Sequence, residues 1–198
     1  MIEAQIKDAV IENEPFPHTV LNNFFDEEYY QELLNAIYHD NTTPIHLPEE
    51  DCYPDKQHIV DIQEITHNFT FWNNFMEMMS SEELLGELKE LWNLKYPVNN
   101  IIYNIHKDKK GFYRGPHNDV KSWNREMVTL MVYCPSNHDL AHTGTRLQEH
   151  KQVLCVPNRA WSFKSCETSV HSVDVVEEDT TDRNSILVKY CATMRRNE

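Results

Sequence analysis

The chain has 198 residues, 40% of them hydrophobic and 11% aromatic, which is enough apolar material to bury a core and too much for a disordered polymer. Its 18 basic residues are outnumbered by 32 acidic ones, and the formal charge of −14 would repel a phosphate backbone, so no nucleic-acid partner is expected. The opening MIEAQIKDAVIENEPFP lacks a basic start followed by an apolar run, and no stretch approaches the roughly 18 apolar residues of a membrane span, so neither secretion nor a membrane is expected.

Five scattered cysteines, Cys52, Cys134, Cys155, Cys166 and Cys191, form no C-x-x-C pair; an odd set of this kind suits reduced thiols in a cytoplasmic protein. Nothing marks a break between two cores, so one domain over residues 1–198 is expected.

In chain order, PFPHTVLNNFF reads as a short strand that runs into a helix over DEEYYQELLNAIY. Asp26 is its expected N-cap, and Tyr30, Leu33, Leu34 and Ile37 recur at helical spacing. Residues 40–58, with Pro44, Pro48 and Pro54 among acidic residues, read as an exposed loop. A second helical zone surrounds FWNNFMEMM. A third helix is expected behind a capping box from Ser80 to Glu83, with a stripe of Leu84, Leu85, Leu88, Leu91 and Trp92 of the ordinary core type. After Pro97 the pattern changes to short apolar stretches: VNNIIYNI, MVTLMVY, QVLCV, AWSF, SVHSVDVV and SILVKY. The expected class is therefore α+β, with a helical buttress over 1–97 and a β-sandwich or barrel over 98–198.

The chemistry-bearing residues lie in the second half. Two histidines and a carboxylate on one face of a metal leave coordination positions open, the arrangement of non-haem Fe(II) oxygenases. GPHNDV offers His117 and Asp119, which on a strand would point to one side. His171, in SVHSVDVV, can supply the second histidine from a distant strand. A competing His-x-Asp match, His106 and Asp108 in NIHKD, ends an apolar run, whereas His117 follows a Gly-Pro turn, and this context favours His117 and Asp119. The remaining histidines, among them His18 and His58, read as surface or loop residues. Arg183, with Ser185 two residues on, could grip a carboxylate with a guanidinium fork and a hydroxyl; the alternative is a surface pair with Asp182 or Glu178.

These segments, in order, resemble the Fe(II)- and 2-oxoglutarate-dependent oxygenase superfamily, and the whole chain is similar to its small prolyl-hydroxylase-like members. PFPHTVLNNFFDEEYYQELL is similar to the family's opening strand and helix, and IIYNIHKDKKGFYRGPHND to its tyrosine-bearing strand and His-x-Asp motif. HTGTRLQ resembles a glycine-bearing segment, NRAWSFKSCETSVHSVDVV the distal-histidine region, and DRNSILVKY the Arg-x-Ser.

The resemblance implies a double-stranded β-helix, the cupin-like jelly roll, with His117, Asp119 and His171 as iron ligands. Arg183 and Ser185 would anchor 2-oxoglutarate, and Tyr103 takes the place of a tyrosine that also binds it. The implied reaction is hydroxylation of an unactivated C–H bond with dioxygen, releasing succinate and CO2, on a prolyl residue or a free amino acid. With Asp119 filling the carboxylate position, hydroxylation is favoured over halogenation. The chain departs from the family where Thr143 and Gly144 replace paired glycines and HKDKKG replaces a glycine-acidic turn. The segments 40–58 and 121–126 are expected near the pocket mouth, and the acidic surface mildly favours basic or neutral substrates. Two alternatives stay open: a jelly-roll metal enzyme that does not use 2-oxoglutarate, and a non-catalytic jelly-roll binding module.

Overall fold

The structure is a computed structural model that describes residues 2, 6–38, 57–120, 125–135, 143–149, 151–177 and 183–193. The long loop expected at 40–58 lies almost wholly outside them, as do residues 121–124, Asp182 and Glu178.

Among the described residues three α-helices and ten strands follow one another: β1 (His18–Leu21), α1 (Glu27–Tyr38), β2 (Gln57–Asp61), α2 (Phe69–Met79), α3 (Glu82–Leu91), β3 (Val98–Asp108), β4 (Arg114–His117), β5 (Arg125–Tyr133), β6 (Thr145–Leu147), β7 (Lys151–Val153), β8 (Ala160–Lys164), β9 (His171–Val173) and β10 (Arg183–Thr193). The strands form two antiparallel sheets, one of six in the order β1-β8-β5-β10-β3-β2 and one of four in the order β4-β9-β6-β7. A chamber of mixed polar and apolar lining lies between them, lined from β2, β3, β5, β8 and β10 on one side and β4, β6 and β9 on the other.

The division into a helical first half and a stranded second half needs correcting, because β1 and β2 are the two edges of the large sheet. β2 pairs with β3 from Gln57 opposite Asp108 to Asp61 opposite Asn104, and β1 pairs with β8. β1 is the short strand expected in PFPHTVLNNFF, whereas β2 has no apolar alternation long enough to be separated from a loop by pattern alone.

Local signals set the helix ends. Asp26 Oδ1 accepts from the Tyr29 amide at 2.9 Å, as an N-cap carboxylate should. The cap of α3 is Ser81 rather than Ser80: its hydroxyl accepts from the Leu84 amide at 3.3 Å, while Ser80 closes α2 by donating to the Met76 carbonyl at 2.7 Å. Two adjacent serines offer the same hydroxyl, and the end of α2 decides which is free.

One apolar core joins helices and large sheet. Leu33 and Ile37 of α1, Trp72 and Phe75 of α2 and Leu88 of α3 are buried together with Ile105, Leu130 and Val188. Polar tethers run across it: Tyr190 Oη donates to the Met79 carbonyl at 3.0 Å and Tyr30 Oη to the Tyr133 carbonyl at 3.3 Å. Truncating Leu88 to Ala there would cost roughly 2–5 kcal/mol. No described helix is long and apolar enough to cross a membrane.

Candidate metal centre and adjoining chambers

The small sheet places the two histidines directly opposite each other. In the β4–β9 pairing His117 faces His171, and their rings lie 4.4 Å apart between centroids. Asp119 is not on the strand, as the alternation argument assumed: β4 ends at His117, and Asp119 follows in a turn where the Val120 amide donates to Asn118 Oδ1 at 3.3 Å. The turn still brings the carboxylate round, and one ligand atom from each of His117, Asp119 and His171 lies within 4.8 Å of the other two.

Their protonation fits a divalent metal. His117 Nδ1 lies 2.9 Å from the Gly115 carbonyl and His171 Nδ1 3.0 Å from the Ser169 carbonyl. A carbonyl can only accept, so each Nδ1 carries the proton and each Nε2 keeps its lone pair for a metal. Burial, then the neighbouring His171 and Arg114, pushes His117 down to about 4, and burial also lowers His171. Burial opposes the charge of Asp119, but Lys189, His171 and His117 hold its pKa below the usual carboxylate value. Two neutral imidazoles and a carboxylate are the forms a metal requires. Thr129 Oγ1 donates to Asp119 Oδ2 and Lys189 Nζ to Oδ1, each at 3.3 Å. Trp161 and Phe163 pack edge-on against His171, with centroids 5.9 and 5.1 Å away.

Two cavities meet at this centre. The inner one, about 60 Å³, runs between the sheets to Arg183, Asp108, Gln57 and Thr145. Arg183 is fully buried: Nη1 donates to Asp108 Oδ2, Nε to the Thr143 carbonyl at 2.7 Å and Nη2 to Thr145 Oγ1 at 3.0 Å. Its guanidinium carbon sits 5.2 Å from the Tyr133 ring centre. The partner of Arg183 is therefore Asp108, which also accepts from Gln57 Nε2 at 2.7 Å, and burial pushes the Asp108 carboxyl up against the pull of Arg183 and Gln57. The backbone crosses tightly here: a Cβ on Gly144 would come 1.9 Å from the Val153 carbonyl oxygen, so a glycine is required between the two threonines that hold Arg183.

Ser185 lies on the same face of β10 as Arg183 and Leu187, fully buried, and its Oγ has no hydrogen-bond partner among the described residues. Opposite it in the β3–β10 register is His106, whose Nε2 is likewise unpartnered and which burial, followed by Lys189, Arg114 and Arg183, pushes down to about 3. Orphaned buried polar atoms are costly, and they fit a chamber meant for a polar ligand.

Tyr103 stands elsewhere. Alternation along β3 turns Asn104, His106 and Asp108 towards the chambers and Tyr103 to the helix side, where its hydroxyl donates to the Met76 carbonyl at 3.4 Å. A period of two specifies which residues share a face, not which face is inward, and the 2-oxoglutarate contact assigned to Tyr103 has no geometric basis. His18, expected at the surface, is fully buried on β1 with Nδ1 2.8 Å from the Phe16 carbonyl, and His58 is part of β2. His39, His46, His138, His142 and His150 lie outside the described residues. Sequence reading missed Thr129 on β5, Gln57 on β2, Lys189 and the roles of His106 and Asp108; for the last three the one available signal was a shared face of β10 or β3.

No protein-family model and no curated protein sequence matches the chain. Solved structures do. A prolyl-4-hydroxylase of Pseudomonas putida superposes with a TM-score of 0.67 at 14% identity, over 89% of this chain and 92% of its own. A prolyl hydroxylase of Trichoplax adhaerens, solved with a hypoxia-inducible-factor peptide, gives 0.61 at 17% identity over 87% and 82%. The viral collagen prolyl hydroxylase of Paramecium bursaria Chlorella virus-1, solved with 2-oxoglutarate, gives 0.61 at 14% identity over 89% and 96%. Likeness at this identity is likeness of fold, and the chain has the jelly-roll fold of the prolyl hydroxylases and 2OG-Fe(II) oxygenases.

Proposed function

We propose that the chain is an Fe(II)- and 2-oxoglutarate-dependent dioxygenase that hydroxylates an unactivated C–H bond. The observation that carries this reading is the convergence of His117, Asp119 and His171 at the head of a buried chamber that ends on Arg183. Bound there, iron and 2-oxoglutarate would supply the oxidising power of dioxygen, with succinate and CO2 as by-products.

The chain's own residues have separate tasks. His117 and His171 offer Nε2, held in place through their Nδ1–carbonyl bonds, and Asp119 offers the carboxylate while Thr129 and Lys189 fix its orientation. Arg183 and Ser185 Oγ would hold the far carboxylate of 2-oxoglutarate, with His106 beside them. Phe112, Trp161 and Phe163 keep the inner chamber apolar around these groups and exclude water. A prolyl residue or a free amino acid is the substrate class we favour. No disulfide joins the described Cys134, Cys155, Cys166 and Cys191, in accord with a cytoplasmic site of action.

One observation favours a second reading, a metal enzyme that does not use 2-oxoglutarate: Asp108 already matches the charge of Arg183, which gives the arginine a structural task without any co-substrate. Succinate release with Fe(II), over a panel of peptides and amino acids, separates the two. Turnover is expected in the wild type and absent in His117→Ala. Unchanged Fe(II)-dependent turnover in His117→Ala would sink the metal assignment, and 2-oxoglutarate affinity retained in a folded Arg183→Ala would favour the second reading.

A further inference from the structure

The outer cavity carries a chemistry that the overall composition does not foretell. It measures about 490 Å³, within the range of sites for small molecules or short chain segments, and shares His106, Arg114, His117, Asp119, Leu187 and Lys189 with the inner chamber. In a chain of formal charge −14, three of its lining side chains are cations: Arg114 at the start of β4, Arg125 at the start of β5 and Lys189 on β10. Among the described residues that line it, the only carboxylate is Asp119, whose charge Lys189 already meets at 3.3 Å. Amides of Asn100, Asn104 and Asn118 extend the donor surface.

Arg125 is the informative member. It is exposed, and its side chain makes no ion pair or hydrogen bond with the described residues, although Glu126 follows it directly. Alternation explains this: Glu126 points to the other face of β5 and is bound by Lys164 Nζ at 2.5 Å and by the Lys95 amide at 2.7 Å. The nearest acidic neighbour is thus committed elsewhere, and the guanidinium is left facing the cleft. A cation-lined concavity against a net negative surface concentrates the field where a ligand enters.

We infer that the substrate of this chain is anionic, carrying a carboxylate or phosphate that sits against Arg125 while the carbon to be oxidised reaches the triad. This rests on the oxygenase reading and adds the charge of the substrate to it. A divalent metal and a dianionic co-substrate cancel each other at the triad, and Lys189 meets Asp119, so the charge of Arg125 remains for the substrate.

The test is calorimetric titration of the full chain, loaded with Fe(II) and 2-oxoglutarate under nitrogen. The probes are a series of N-acetyl amino acids, the corresponding uncharged amides, and inorganic phosphate. The carboxylates are expected to bind at least about tenfold more tightly than their amides, a gap of about 1.4 kcal/mol. That preference should collapse in Arg125→Gln and reverse in Arg125→Glu, with melting temperatures unchanged because Arg125 is exposed at a strand end. Phosphate binding that outcompetes the carboxylates, and is lost in Arg125→Glu, would support the anion and name phosphate as its source. Amides binding as tightly as acids, or no carboxylate or phosphate binding up to millimolar concentration, overturns the proposal. Succinate release by the same wild-type preparation under oxygen is a separate arm: its absence, with anion-selective binding intact, condemns the oxygenase reading and not the charge of the cleft.

Discussion

The chain contains the same tripeptide pattern, His-x-Asp, at 106–108 and again at 117–119, and the two copies end in opposite circumstances. His106 and Asp108 sit in β3, hydrogen-bonded to strands on both sides, so the ladder holds both on one face and gives them different neighbours: Asp108 meets Arg183 and Gln57, and His106 lies opposite Ser185 with its Nε2 unpartnered among the described residues. His117 and Asp119 straddle the end of the short β4, where the chain is free to turn the carboxylate towards His171 on β9. A metal site needs convergence on a point, which a regular strand between two partners does not supply and a strand end does.

The largest expected effect tests that contrast directly. His117→Ala should lose stoichiometric Fe(II) and at least about 100-fold in turnover, whereas His106→Ala should keep the metal, as read by metal analysis, and weaken 2-oxoglutarate binding. Equal loss of iron from both variants would erase the distinction between the motifs.

Asp108→Asn comes next. It leaves the buried Arg183 charge uncompensated, for which roughly 3–5 kcal/mol of stability is expected to be lost in denaturant melts. The same change removes a like charge from beside the incoming carboxylate, so the 2-oxoglutarate affinity of the folded fraction should rise. A fall in affinity without 2-oxoglutarate-independent activity would mean that Asp108 orients Arg183 rather than competing for it.

A pH effect of intermediate size follows from His106. Burial lowers its folded pKa to about 3, so between there and the unfolded value near 6.5 the unfolded chain binds a proton that the folded chain does not. Stability therefore falls as pH drops below about 6.5, by up to about 1.4 kcal/mol per pH unit for this group, and His117, lowered to about 4, acts in the same direction. Melting temperatures from pH 7 to 5 should decline in the metal-free protein and decline less in His106→Gln; parallel curves would show that His106 is not buried neutral.

The smallest effect concerns the support of the carboxylate ligand. Thr129→Val removes the hydroxyl that donates to Asp119 at 3.3 Å and should weaken iron binding about tenfold with little change in melting temperature. No change at all would leave Lys189 as the sole support of Asp119.

Much of this was legible in the chain itself, wherever the controlling interaction is local. Asp26 caps α1, Leu84, Leu88 and Trp92 of the α3 stripe are buried with Leu85 and Leu91 half-buried, and the apolar runs from residue 98 onward each contain a strand, because capping and periodicity act within a few residues. The strand around His171 marked one of the residues that the fold brings together, whereas the Gly-Pro turn expected before His117 is part of β4, and it is the end of that strand that lets His117 and Asp119 meet His171. Tertiary structure decided the rest. It turned Tyr103 to the helices and Asp108 to Arg183, moved the α3 cap from Ser80 to Ser81, recruited β1 and β2 as sheet edges, and gathered Arg114, Arg125 and Lys189 around one cleft in an acidic chain. A sequence states which side chains share a face and which hydrogen bonds a terminus needs; which face is inward, and which distant charge waits there, is set by strand pairing across the whole chain.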